Sequence, residues 1–233
     1  MGYDVALVDE LRAALAAAGD PGRAAGQQAY MKSALPFHGI TSPELRRVVD
    51  PLLRAHPMPD RATWEATVRE LWDGVTHREQ WYAALALARH RTARDWQDPG
   101  TLPLYRHLTV TGAWWDVVDE IASRLVGPVL LGHRATVTPV MDDWSVGDDL
   151  WLRRVAILSQ LRHRADTDTD LLGRTVTANL EGSRFGSEFF IRKAVGWALR
   201  EHAKTDPAWV LALVDAHRDR LSGLSVREAT KHL

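Results

Sequence analysis

Residues 41–91 read TSPELRRVVDPLLRAHPMPDRATWEATVRELWDGVTHREQWYAALALARHR. Thr41 and Glu44 have capping-box spacing, and Pro43 suits a first helical turn because it has no N–H to leave unpaired there. Pro57 and Pro59 end the helix so opened. Asp60 caps a helix that runs through Trp72, and Gly74 closes it. Thr76 and Glu79 repeat the capping-box spacing ahead of a helix over 77–91. Helices joined by short links, with no alternating run among them, are the pattern of packed helix pairs rather than of a sheet.

The same reading extends outward in both directions. Residues 4–18 form a helix with Val5, Leu7, Val8, Leu11 and Leu15 on one apolar stripe. Asp20-Pro21-Gly22 breaks the chain before a helix over 22–35, and Pro36-Phe37-His38-Gly39 is a turn. Asp98-Pro99 opens another helix, which Thr109-Val110-Thr111 finishes. Further helices are expected over 113–126, 134–143, 148–164, 167–181, 186–203, 206–218 and 225–232. Pairs recur about every 35–45 residues, the scale of HEAT-like stacking. The expectation is an all-α fold, a single domain over 1–233, built as a curved α-solenoid of antiparallel helix pairs with a concave binding face.

Composition excludes several classes. At 45% hydrophobic and 25% charged, the 233 residues make a globular chain, not a disordered or fibrous one. Cysteine is absent, which removes disulfides, thiolate metal sites and a cysteine nucleophile. No apolar run approaches the roughly 20 residues that span a bilayer. The first fifteen residues carry Asp4, Asp9 and Glu10 and lack the basic start of a leader. The net charge of −1 is not that of a general polyanion binder, but 25 of the 29 cations are arginines, and segment 150–164 holds Arg153, Arg154, Arg162 and Arg164 with no acid. Ten tryptophans add aromatic surface. No metal-ligand spacing, phosphate-binding glycine loop or nucleophile elbow is present, so neither metal nor cofactor is expected.

Three stretches carry chemistry. In Thr111-Gly-Ala-Trp-Trp-Asp-Val-Val-Asp119, Trp115 and Asp119 lie four apart and share a helical face. A carboxylate beside an indole suits a developing cation, although tryptophans at helical spacing are also ordinary core. In Trp151-Leu-Arg-Arg154, adjacent arginines diverge by about 100°, so one is expected to face a groove and the other solvent. Either offers a planar fork to phosphate, or a surface ion pair. In Phe189-Phe-Ile-Arg-Lys-Ala-Val-Gly-Trp-Ala-Leu-Arg200, the row Phe190, Lys193, Trp197 and Arg200 alternates ring and cation, a wall suited to a polyanion that carries bases. Arg227 and Lys231, four apart, extend it.

These three stretches, together with residues 30–44 and 224–232, resemble in order the AlkD-type DNA alkylation-repair glycosylases. The resemblance implies a superhelix of HEAT-like pairs that binds double-stranded DNA and cleaves the N-glycosidic bond of N3- and N7-alkylated purines, without a base-flipping pocket. It implies Asp119 as the catalytic carboxylate, Trp115 and Trp197 as walls about the lesion deoxyribose, and Arg154 near the DNA backbone. Tyr30 completes the aromatic lining, and His38 stands where the family has an apolar residue. Lys193, Arg200, Phe190, Arg227 and Lys231 are the accompanying DNA contacts. A monomer in a bacterial cytoplasm, needing no cofactor and no metal, fits that reading. The alternatives are a non-catalytic helical scaffold and a damaged-DNA-binding paralogue.

Overall fold

The computed structural model describes residues 2–233, and among them every regular element is helical. The chain divides into two compact units, the first ending at Trp96 and the second beginning at Gln97.

The first unit contains α1 (Val5–Ala17), α2 (Pro21–Met31), α3 (Ser42–Ala55), α4 (Arg61–Asp73) and α5 (Glu79–Ala88). Side chains cap several of them. The Asp4 carboxylate accepts from the Leu7 N–H at 2.9 Å, and Asp60 from that of Thr63 at 2.8 Å. Thr41 and Glu44 form the expected capping box, which holds the Glu44 carboxyl down at about 2. Leu7, Val8, Leu11 and Leu15 are fully buried as the stripe requires, whereas Val5 is exposed at the first turn. They pack with Val49 and Leu53 of α3, Trp64, Val68 and Leu71 of α4, and the alanine-rich face of α5.

The Thr76–Glu79 capping box does not form. α5 begins at Glu79, and the Thr76 N–H donates to Gln80 Oε1 at 2.9 Å instead. The Glu79 side chain, 1% exposed, turns to the loop before α3. It accepts from the backbone N–H groups of His38 at 3.0 Å, Gly39 at 2.9 Å and Ile40 at 3.2 Å. A buried carboxylate with three amide donors is better satisfied there than at a helix end. Gly39 makes the turn possible. Its φ is +93°, and a Cβ would fall 2.1 Å from the Asp20 carbonyl oxygen.

The second unit contains α6 (Leu102–Gly112), α7 (Trp115–Glu120), α8 (Gly127–Gly132), α9 (Arg134–Val146), α10 (Leu150–Leu158), α11 (Thr169–Thr177), α12 (Phe189–Ala203), α13 (Pro207–Ala216) and α14 (Gly223–Ala229). The helix expected over 113–126 differs in detail. Ala113 ends α6 in the left-handed region at φ 40°, Trp114 is extended, and the new helix starts at Trp115. A left-handed alanine costs about 1–2 kcal/mol, and it sets the angle at which Trp114 and Trp115 leave the chain. α7 then passes through a π-helical turn, Ile121–Val126, into α8. His163, in the segment after α10, ties the start of α8 by a 3.0 Å bond between its Nε2 and the Gly127 carbonyl. Gly127 is needed because a Cβ would meet the Ser159 carbonyl oxygen at 2.6 Å.

Candidate active site

Asp119 lies on the last full turn of α7, one turn after Trp115. α10 packs against both α7 and α12, and this brings Arg154 to Asp119. Arg154 Nε donates to Oδ1 at 2.7 Å and Nη2 to Oδ2 at 2.9 Å. This two-point geometry is the strongest form of arginine–carboxylate pairing. Arg154 Nη1 donates to the Phe190 carbonyl in the first turn of α12. One guanidinium thus joins three helices. Burial pushes the Asp119 carboxyl above its ordinary range, and the bonds from Arg154 pull the other way.

Rings stand beside Arg154. Trp114, Trp151 and Phe190 form a three-way cluster, with centroid separations of 6.1 Å, 5.4 Å and 5.1 Å. Arg154 Cζ stands 5.9 Å from the Phe190 centroid. The cluster holds the ends of α7, α10 and α12 together by the edge and tilted contacts that aromatic quadrupoles favour. Trp115 and Trp197 are half-buried and stand outside the fully buried core that holds Trp64 and Trp72.

The arginine pair departs from the expectation that one points outward. Arg154 is 4% exposed and Arg153 5% exposed. Arg153 donates to the Val146 and Gly147 carbonyls at 2.8 Å and 2.7 Å and to Asn179 Oδ1 at 3.2 Å, closing the C-terminal end of α9. Both cations are drawn inward because carbonyls and a carboxylate compensate the desolvation. Arg154 is therefore the holder of Asp119 rather than an open phosphate ligand.

A family model described as DNA alkylation repair enzyme matches residues 11–233, across both units. The chain belongs to that family. A solved structure titled "Predicted DNA alkylation repair enzyme from Enterococcus faecalis" is 30% identical. It superposes with a TM-score of 0.81 over 92% of this chain and 96% of the other. No curated protein gives a significant match.

In this repair enzyme the other expected contacts fall in different settings. Phe190 is committed to the ring cluster, and its neighbour Phe189, 51% exposed, presents the open face while touching Phe190 edge-on at 5.5 Å. Lys193 Nζ is 3.0 Å from Glu228 Oε1, and Arg200 Nη1 bonds Oε2 of the same carboxylate. The cation row is therefore partly neutralised from within. Arg227 and Lys231 are exposed at the C-terminal end. In the first unit Tyr30 is 77% exposed on α2. His38 stacks on His77 at 3.8 Å, which gives the polar residue an aromatic neighbour where an apolar one was expected. Among the described residues no group of three His, Asp or Glu side chains is placed to hold a metal, and no helix is long and apolar enough to cross a membrane.

Sequence reasoning missed the ring cluster and the tasks of Arg154 and Glu228. One signal was available. Trp151 precedes Arg154 by three, as Trp115 precedes Asp119 by four, so each charge carries a tryptophan on its own helical face.

Proposed function

We propose that this family member is a monofunctional DNA glycosylase that hydrolyses the N-glycosidic bond of positively charged N3- and N7-alkylpurines in duplex DNA. The observation that carries the reading is the Asp119 carboxylate, only 14% exposed and held at both oxygens by Arg154, whose guanidinium lies over the Phe190 ring. An alkylated purine cation leaves readily: the C1′–N bond breaks, its electron pair moves to the base, and the base departs neutral. Positive charge then builds on C1′ and the ring oxygen of the sugar. A fixed carboxylate in a water-poor site stabilises that charge more than the ground state, which is what lowers the barrier. Indole faces at Trp115 and Trp197 add cation–π support. Water adds to C1′ and passes its proton to Asp119 or solvent, leaving free base and an abasic site.

Arg154 fixes the direction of the Asp119 oxygens, so the carboxylate does not have to reorganise as charge develops. DNA is held through phosphates by Lys193, Arg200, Arg227 and Lys231, the exposed Tyr30 ring offers a separate aromatic contact, and Phe190 acts from within the ring cluster. In this reading residues 1–233 serve as one functional domain, acting as a monomer on the bacterial nucleoid. It needs neither cofactor nor metal. Bulky cationic adducts are substrates as well as methylated bases, since the leaving group needs charge rather than a fitted pocket.

The test is incubation with duplex DNA containing 7-methylguanine, with released base and abasic sites measured together. Release from this duplex, and none from duplexes with uracil or 8-oxoguanine, is expected. Efficient release of uracil would show that leaving-group charge is not the requirement. Tight binding to the lesion without base release would favour the damage-binding paralogue.

A further inference from the structure

We infer that Glu228 is a built-in counter-ion that occupies Lys193 and Arg200 in the free protein and gives way to a DNA phosphate, holding down the affinity for undamaged duplex. This rests on the reading that α12 faces DNA.

The arrangement begins with Gly196. A Cβ there would fall 2.6 Å from Glu228 Cβ and 3.1 Å from Ser225 Cα, so glycine lets α14 seat directly on α12. Ser225 Oγ donates to the Arg192 carbonyl at 2.9 Å and fixes the crossing. The crossing leaves Glu228 over the row in which Lys193, Gly196 and Arg200 succeed one another at spacings of three and four. Its two oxygens are divided, one to Lys193 at 3.0 Å and one to Arg200.

A clamp whose only task is to dock α14 needs one cation, well covered. Here one carboxylate serves two cations seven residues apart, and the Lys193 side chain remains 39% exposed, the Arg200 side chain 23%. Part of this pairing is open to water on the Lys193 side, so a phosphate can reach the cation and compete with the carboxylate. Lys193 is the main cause that holds the Glu228 carboxyl below its ordinary range, with Arg200 and Lys231 adding to it. Glu228 therefore stays charged at every pH at which DNA repair proceeds. Phosphate binding by a free cation releases condensed counterions and is indifferent to sequence and damage. Exchange of one anion for another returns much less, so these two cations contribute little until the duplex is seated well enough to displace Glu228.

The experiment measures dissociation constants for an undamaged duplex across a salt series, for wild type, Glu228→Gln, Lys193→Gln/Arg200→Gln and the triple variant. Glu228→Gln is expected to bind about three- to tenfold more tightly at low salt, with a log–log salt slope steeper by about one. The triple variant should lose that gain. Equal or weaker binding by a Glu228→Gln protein with the wild-type unfolding midpoint overturns the proposal. If the substitution lowers the midpoint, the wild-type protein decides instead. Its Lys193 ammonium resonance, assigned by its loss in Lys193→Gln, must move when undamaged duplex is added. An unmoved resonance in a saturated complex leaves Glu228 in place and overturns the proposal. Neither readout uses excision, so an inactive protein that shows both effects would retain this inference and lose the glycosylase reading.

Discussion

Arg154 grips both carboxylate oxygens of Asp119 across 35 residues of sequence while its remaining nitrogen holds the Phe190 carbonyl. The acid, its orienting cation and the start of the ring-and-cation row on α12 are thereby one mechanical unit.

Asp119→Asn keeps the shape and one acceptor oxygen but removes the charge. Excision of 7-methylguanine should fall by ~10²–10³, the usual cost of losing a preorganised electrostatic group. Leaving Arg154 with one weaker bond should cost about 1–3 kcal/mol of stability. Single-turnover rates measured well below the unfolding midpoint separate the two effects. A rate within twofold of wild type removes Asp119 from the mechanism.

The pH dependence follows from the opposing effects on Asp119. Burial raises its pKa above 3.8, and catalysis needs the ionised form. Activity should therefore decline as pH falls through that raised value, with an acid limb higher than an exposed aspartate would give. Arg154 favours the ionised form, so Arg154→Met should move the limb to still higher pH. A pH profile of the single-turnover rate for the two proteins checks this. A limb that stays in place in Arg154→Met means Arg154 does not tune the carboxylate.

The parts legible in the sequence are those decided within one or two helical turns. Asp60, Thr41 with Glu44, and the Leu7–Leu15 stripe were readable because a cap or an amphipathic face is a local matter. Glu79 was misread because three amides from the 38–40 loop outbid the local cap. The outward arginine was misread for the same kind of reason: partners at Asp119, Val146, Gly147 and Asn179 are invisible to spacing. Asp119 and Trp115 were legible as one face of one helix. That Trp114, Trp151 and Phe190 converge beside them depends on how α7, α10 and α12 pack, and on the left-handed Ala113, where the sequence shows no glycine.

The two sets of rings should separate on mutation. Trp115→Ala and Trp197→Ala remove half-buried rings, so excision should fall more than undamaged-duplex affinity does, with the fold retained. Trp151→Ala opens the cluster between α7, α10 and α12 and should cost about 2–4 kcal/mol. Thermal unfolding set against single-turnover rates reads both. Strong destabilisation by Trp115→Ala and Trp197→Ala, with normal activity in the folded fraction, would return those two residues to a packing role.

Glu79 tests the first unit without touching the second. Glu79→Ala strands the buried N–H groups of Gly39 and Ile40 and the partly buried one of His38. Each buried donor left without a partner costs about 1–3 kcal/mol, reduced where the loop relaxes or admits water. A loss of about 2–5 kcal/mol is expected in denaturant unfolding. Glu79→Gln keeps an acceptor oxygen and should lose roughly half as much, since charged acceptors bind amides more strongly than neutral ones. The contrast matters more than either value. If the alanine and glutamine variants lose the same amount, the charge alone stabilises the loop and the amide bonds do not. If neither loses stability, the 38–40 turn is held by Gly39 and its neighbours, and the buried carboxylate is not what fixes the entry to α3.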